Sequence, residues 1–400
     1  MIELMGVATG SPAGKGKRQI VSTSLAPTPP MGFNTWNHFG LAIDEGLARK
    51  TMRAMVERGL LAAGYQYFNL DDGWMAPERD SKGRLAADPV RFRSGMAALA
   101  KEAHEMGLRF GLYSDCGHRT CGGLPASYGH EEVDAASFAE WEVDYLKHDW
   151  CHVPFDDFPG ASHAEVAQEL YARMAEALSR ARPVVLSMCN WGDGRPWEWA
   201  RGLAHLWRTT PDIKDSFSGA DGPTWGVVPI FHRNARLADW AGPGGWNDPD
   251  MLEVGNGGMS QLEYRSHFAL WCLMAAPLLI GCDITTASDE TVELLTNPDL
   301  VAIDQDPLGR QAKLVASEGG AHTLVKQLAD GWAVGVFNEA TAQTAVTLDW
   351  GALVGQPGQG GSWLAKDCWS GSEKTVHGRD EVTLRPHETL VWRLREPSHS

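Results

Sequence analysis

The sequence predicts a (β/α)8 barrel followed by a C-terminal antiparallel β-sandwich. Three observations predict it. From about residue 25 to 310, eight short apolar runs alternate with longer amphipathic stretches. Nearly every cluster of reactive side chains lies just after one of those runs. Beyond Pro307 the pattern changes to period-two alternation broken by turns. Alternating strand and helix signals imply a parallel α/β core, whose strand ends converge on one mouth. Period-two patterning broken by turns implies antiparallel strands.

The first 24 residues are polar and rich in Gly, Ser and Lys, with a basic GKGKR stretch and no apolar core before a cleavage site. They read as a disordered leader and not as a signal peptide, which points to a cytoplasmic protein, a secreted one being the alternative. The strand candidates are Met31–Trp36, Tyr67–Leu70, Arg109–Tyr113, Val143–Lys147, Val184–Met188, His205–Arg208, Gly244–Trp246 and Pro277–Gly281. Residues 44–59 illustrate a helix between them: Asp44 caps it, and Ala48, Met52, Met55, Val56 and Gly59 fall at helical spacing. In residues 162–178, Ser162 and Glu165 fit a capping box, and Val166, Leu170, Met174 and Leu178 make one stripe. Eight strands suit a closed barrel better than an open sheet, and the glycine-rich loops of nucleotide-binding sheets are absent from the sequence.

In the tail, Val334 and Val336 alternate with small residues, Val346, Leu348 and Trp350 alternate with Thr347 and Asp349, and Leu390, Trp392 and Leu394 repeat the spacing near the end. GQPGQGG and SGS segments mark turns. The expected organisation is a leader at 1–24, a catalytic barrel at 25–310 and a β domain at 311–400.

Composition limits the partners. The chain has 400 residues and a formal net charge of -16, which disfavours phosphate backbones and anionic lipid. No apolar run approaches the roughly 20 residues of a membrane helix. Neither nucleic acid nor a membrane is an expected partner, and oligomeric state is left open. Seven scattered cysteines are neither a disulfide framework nor a zinc ribbon. Seventeen tryptophans suit the apolar face of a sugar ring, but equally suit ordinary core packing.

The clusters at the strand ends narrow the chemistry. They are Trp36; Asp71, Asp72 and Trp74; Tyr113 and Asp115; Lys147, His148, Asp149, Trp150 and Cys151; Cys189, Asn190 and Trp191; Arg208 and Asp212; and Asn247, Asp248 and Asp250. Several carboxylates with aromatic walls, and no nucleophile elbow, are what glycoside hydrolysis needs: one carboxylate attacks or guides water while another protonates the leaving oxygen. On position alone, Asp149 could equally cap a helix, Asp212 could be a turn residue, and Trp36 could be core. The acidic pairs, or His148 with Asp149 and His152, could suggest a metal, although metal-binding His spacing is lacking.

The longer motifs choose among these readings. PTPPMGFNTW (27–36), NLDDGWMAPERDSKGRLAADPVRF (69–92), GLYSD (111–115), YLKHDWC (145–151), LWRTTPDI (206–213), GGWNDPDML (244–252) and DQDPLGRQ (304–311) occur in order along the barrel. In these segments the chain resembles glycoside hydrolase family 27, the family of α-galactosidases and α-N-acetylgalactosaminidases. The resemblance implies Asp149 as nucleophile and Asp212 as general acid/base of a retaining α-galactosidase. It implies that Lys147, Asp71 and Asp72 hold sugar hydroxyls. It places Trp36, Tyr113, Cys189, Asn190, Trp191, Arg208, Asp250 and Met251 around the pocket, and pairs Cys121 with Cys151 in a disulfide. It implies a galactose-containing oligosaccharide or glycoconjugate as substrate and no cofactor or metal.

Two departures from the family pattern stand out. Asn190 occupies a position where many α-galactosidases carry Glu, next to the C2 substituent of the sugar, which keeps α-N-acetylgalactosaminidase and β-L-arabinopyranosidase activities open. Gly73 stands where relatives often carry Cys, so a second disulfide is missing. Outside the class, the alternatives are a sugar-binding protein on a retired scaffold and a metal-dependent barrel hydrolase. Ionised Asp149 is expected to be held charged by Lys147.

Overall fold

A computed structural model describes residues 19–355 and 361–397. Its barrel strands are β1 Met31–Asn34, β2 Tyr67–Asn69, β3 Arg109–Asp115, β4 Tyr145–Asp149, β5 Val185–Cys189, β6 Leu206–Arg208, β7 Trp246–Asp248 and β8 Leu278–Ile280. They form one parallel sheet ordered β7-β6-β5-β4-β3-β2-β1-β8. The gap between β7 and β8 is spanned by Leu252. Its N–H donates to Leu279 O at 2.8 Å, and its carbonyl accepts from Gly281 N at 2.9 Å. The barrel therefore closes through one residue of a loop and not through a ladder.

Every expected strand is present, but β3, β4, β5 and β7 run past the end of their apolar runs. The ladder pairs Asp115 with Asp149 and Asp149 with Cys189. Hydrophobicity marks only the part of a strand enclosed on both faces, whereas backbone hydrogen bonding continues into the polar mouth. Several reactive residues are thus the last residues of strands, on rigid backbone, and not in the loops that follow.

The main helices are α1 Glu45–Glu57, α2 Met96–Glu105, α3 Glu131–Glu140, α4 His163–Ala181, α5 Val227–Asn234, α6 Gln261–Leu273, α7 Asp289–Leu295 and α8 Pro298–Asp304. Asp44 caps α1 by accepting from Leu47 N at 2.7 Å, and Ser162 with Glu165 forms a capping box on α4. Ala48, Met52 and Met55 are buried beneath α1. Val56, counted in the same stripe, is exposed, and Gly59 lies beyond the helix at φ 79°.

Residues 1–18 of the expected leader, GKGKR included, lie outside the described residues. Residues 19–24 are tied to the barrel instead: Ile20 and Val21 both donate to Gly202 O, and Ser22 O faces His205 Nε2 at 3.0 Å.

The tail strands are β9 Lys313–Glu318, β10 Ala321–Leu328, β11 Gly331–Asn338, β12 Thr344–Asp349, β13 Trp363–Asp367, β14 Glu373–Val376, β15 Arg379–Leu384 and β16 Thr389–Arg395. They form a six-stranded antiparallel sheet, β9-β10-β11-β16-β13-β14, and a β12–β15 pair. Val334, Val336, Leu348, Trp350, Trp392 and Leu394, on the alternating segments, share one core between them. The other face of the large sheet contributes Leu324, Leu328, Ala333 and Phe337 to the core of the barrel. Most of the GQPGQGG turn, residues 356–360, lies outside the described residues.

Candidate active site

Strand alternation decides which side chains enter the mouth. Lys147 and Asp149 lie two apart on β4 and share a face. His148, between them, turns the other way, its ring 5.8 Å from that of Tyr171 on α4. Burial pushes the His148 pKa down to about 3. A metal cluster built on His148 and Asp149 is therefore not assembled, since the two occupy opposite faces.

Register does the rest. β3 and β4 pair Tyr113 with Lys147 and Asp115 with Asp149, while β5 places Cys189 on the other flank of Asp149. Lys147 Nζ sits 5.3 Å above the Tyr113 ring and 2.8 Å from Asp71 Oδ2. Asn34, the last residue of β1, donates to the same Asp71 oxygen at 2.8 Å. Asp71 Oδ1 accepts from Asp72 N at 2.9 Å, and the Asp71 N–H donates to Thr35 Oγ1 at 3.0 Å. Asp72 Oδ2 accepts from Gly122 N at 2.7 Å. Burial raises the Asp72 pKa. Gly73, at φ 108°, turns the chain after this pair in a conformation that disfavours a side chain, and a Cβ there would meet Leu41 Cα at 3.2 Å.

Asp149 is only 5% exposed, with Oδ1 accepting from Trp150 N at 2.9 Å. Burial drives its pKa well above the ordinary carboxylate range; Lys147 and Arg208 pull it down, while Asp212 and Asp71 push it up. Lys147 thus acts in the expected direction, but burial outweighs it.

Asp212 is different. It begins a small excursion of short strands, Asp212–Ile213, Ala220–Asp221 and Thr224–Trp225, and its side chain is 44% exposed. Arg208, buried at the end of β6, joins it to the mouth. One guanidinium nitrogen lies 3.0 Å from Asp212 Oδ1 and 2.9 Å from Asp250 Oδ2. Asp250 also accepts from Ile213 N at 2.8 Å, so the base of the excursion is clamped twice. The other terminal nitrogen of Arg208 reaches Cys189 Sγ at 3.4 Å, and burial keeps that thiol protonated by raising its pKa. Trp36 is half-buried and, with Asp212, Glu253 and Asn256, lines a cleft of about 420 Å³. Met251 is buried beside Asp250.

Asn190 follows β5. Its Nδ2 donates one hydrogen to Asp193 O at 2.6 Å, and Oδ1 has no hydrogen-bond partner in the protein, so the amide keeps a free acceptor to meet a ligand. Asp72 Oδ1 and Arg208 Nε are likewise buried without a partner. A buried polar atom left unpaired costs about 1–3 kcal/mol, and a hydroxylated ligand would remove that cost. At this mouth, Trp191 at φ 54° and Asp250 at φ 80° hold left-handed backbone that their side chains disfavour.

The Cys121–Cys151 disulfide is present. It joins the loop after β3 to the residue two beyond Asp149. Gly117 lets these loops close, because a Cβ there would lie 2.0 Å from Cys151 O. The same junction is organised by Asp115, for which the sequence suggested no role. Its carboxylate accepts from Gly117 N at 2.7 Å and Cys151 N at 2.9 Å, and burial with the neighbouring Asp149 raises its pKa well above the ordinary range. Asn34 and Glu253 also escaped the sequence reading. Their signal was faint: Asn34 lies inside the PTPPMGFNTW motif, and Glu253 directly after GGWNDPDML. Glu253 is buried between Asn37 and Asn256, which both donate to it, and burial pushes its pKa up to about 7.

Residues 28–306 match the family model described as alpha galactosidase A, and residues 318–394 match the alpha galactosidase C-terminal beta sandwich domain. An alpha-galactosidase of Cyamopsis tetragonoloba is 45% identical over 94% of this chain and 89% of its own length. The structure of alpha-galactosidase I from Mortierella vinacea superposes with a TM-score of 0.89 at 32% identity, covering 95% of this chain and all of that one (100%). That of the Saccharomyces cerevisiae enzyme with raffinose gives 0.88 at 26% identity, covering 96% of this chain and 100% of the other.

Proposed function

The chain belongs to the α-galactosidase A family, and we propose that in it Asp149 is the nucleophile and Asp212 the general acid/base of a retaining hydrolysis. It is a glycoside hydrolase that releases terminal α-linked galactose. The observation that carries the assignment of roles is the contrast between two carboxylates on one cationic frame. Asp149 is enclosed on β4 under the charges of Lys147 and Arg208, while Asp212 is half-exposed on Arg208 at the rim.

In this reading the sugar enters with its anomeric carbon facing Asp149. Ionised Asp149 attacks that carbon as Asp212 donates a proton to the departing oxygen, and a glycosyl-enzyme ester forms. Asp212, now a base, takes a proton from water, which attacks the same carbon and frees Asp149. Asp72 Oδ1, Asn190 Oδ1 and Arg208 Nε are the unpaired groups that sugar hydroxyls would satisfy. Lys147, held between Asp71 and the Tyr113 face, presents a cation to the same ring. The half-buried Trp36 and Trp191 supply apolar walls. The yeast relative was solved with raffinose, and a short α-galactosyl oligosaccharide is the proposed substrate class here.

Azide rescue tests the roles. Asp149→Gly should recover turnover of an activated α-galactoside only with azide and release the β-galactosyl azide. Asp212→Gly should release the α-galactosyl azide. The reverse pairing would overturn the assignment.

A further inference from the structure

At the seam between barrel and sandwich, three side chains able to bind a metal converge from separate elements. His232 lies in the last turn of α5, His322 is the second residue of β10, and Glu339 directly follows β11. His232 Nε2 is 2.6 Å from Glu339 Oε2, and His322 Nε2 is 3.3 Å from Glu339 Oε1. We infer that His232, His322 and Glu339 form a binding site for one divalent transition-metal ion of the zinc class.

The donor set is that of such sites: two imidazoles and one carboxylate, with a fourth position left for water. One donor atom from each residue lies within 4.8 Å of the others. Bonds of roughly 2.0–2.1 Å in a tetrahedron put ligand atoms about 3.3 Å apart. The His322–Glu339 pair already has that spacing, and the His232–Glu339 contact would open slightly around an ion.

His322 supplies the independent observation. Its side chain is only 7% exposed, and its Nε2, 3.3 Å from Glu339 Oε1, has no hydrogen-bond partner. Its other nitrogen is held by Ser317 Oγ at 2.9 Å, the kind of outer contact that fixes the ring and leaves Nε2 free to ligate.

The surroundings suit an ion. Phe231 and Phe337 wall the site, with ring centroids 5.6 and 5.9 Å from His322. Glu339 is positioned by its own backbone, whose N–H donates to Gly320 O at 2.9 Å. His232 and Glu339, 35% and 28% exposed, leave one side open to entry. A bound ion would staple α5, which follows the Asp212 excursion, to the sandwich.

The test strips the purified full-length enzyme with a chelator and titrates it with Zn(II) by calorimetry and with Co(II) by visible absorption. The expected result is one saturable Zn(II) per chain, Co(II) d–d bands of low coordination number, and a melting temperature that rises with Zn(II). His322→Gln could unfold the seam, so the part-exposed ligands carry the test. His232→Gln and Glu339→Gln should each weaken Zn(II) binding by at least about tenfold. His387→Gln, which removes a different histidine of the seam paired with Glu263, should leave it unchanged. Absence of saturable binding, full binding in His232→Gln and Glu339→Gln, or its loss in His387→Gln would overturn the site.

Discussion

The mouth of the barrel and the core of the sandwich are both enclosed, but they are filled differently. The sandwich core is Val, Leu and Trp with one Ala, and its Trp350 and Trp363 indoles donate to Asp380 and to Gly355 O. In the mouth, Asp71, Asp72, Asp115, Asp149, Asp248 and Asp250 are all at most 5% exposed, around the buried Arg208 and the partly buried Lys147. Burial raises the pKa of Asp72, Asp115, Asp149, Asp248 and Asp250. The contrast teaches where stability is made and where it is given up. The sandwich holds itself together by packing, while the mouth keeps unfavourable charge in place because rigid strand ends leave it nowhere else to go.

Four substitutions probe the difference between the two regions. The largest effect is expected for Asp149→Asn, which should lower kcat by about four orders of magnitude or more while the fold persists, checked by initial rates and circular dichroism. Next, Asp212→Asn should cost about 10²–10⁴-fold, and more for alkyl than for acidic aryl leaving groups, checked by a leaving-group series. In the sandwich, Trp392→Ala should destabilise by about 3–5 kcal/mol in chemical denaturation, with kcat per folded molecule unchanged.

The acid limb of kcat/KM should lie above the ordinary carboxylate range, because Asp149 must be ionised and its pKa is raised. Lys147→Met removes the cation that lowers it, so the limb should move further up in a pH–rate profile.

The smallest effect concerns stability. Asp149 is raised in the folded state, so its ionisation disfavours folding once pH exceeds the unfolded value of about 3.9. Asp149→Asn should therefore melt a few degrees higher than wild type near neutral pH, and the gap should close as pH falls below that value. Equal melting temperatures at both pH values would argue against burial as the dominant influence.

What the sequence made legible follows the same division. Apolar runs located all eight strands, and alternation located the buried faces of β11, β12 and β16, because both signals come from side chains that must leave water. Where strands end was less legible, because Asp115 and Asp149 continue ladders that hydrophobicity does not mark. Asp149 was singled out among many aspartates by KHDWC alone, since its burial and its neighbours Tyr113 and Cys189 depend on register. The Arg208–Asp250 pair and the Asn34–Asp71 bond join residues 42 and 37 apart in sequence, and no local spacing announces them. The same holds for His232, His322 and Glu339, which meet only when the sandwich docks on the barrel.

In the proposed reaction the buried aspartate at the end of β4, and not one of its carboxylate neighbours, bonds to the sugar. That bond is tested most directly by incubating the enzyme with a deactivated fluorinated α-galactosyl fluoride and mapping the adduct by peptide mass spectrometry. One sugar per chain is expected, attached to the peptide containing Asp149 and absent from Asp149→Asn. An adduct on Asp71, Asp115, Asp212 or Asp250, or turnover that builds up no covalent species with any slow substrate, would contradict it.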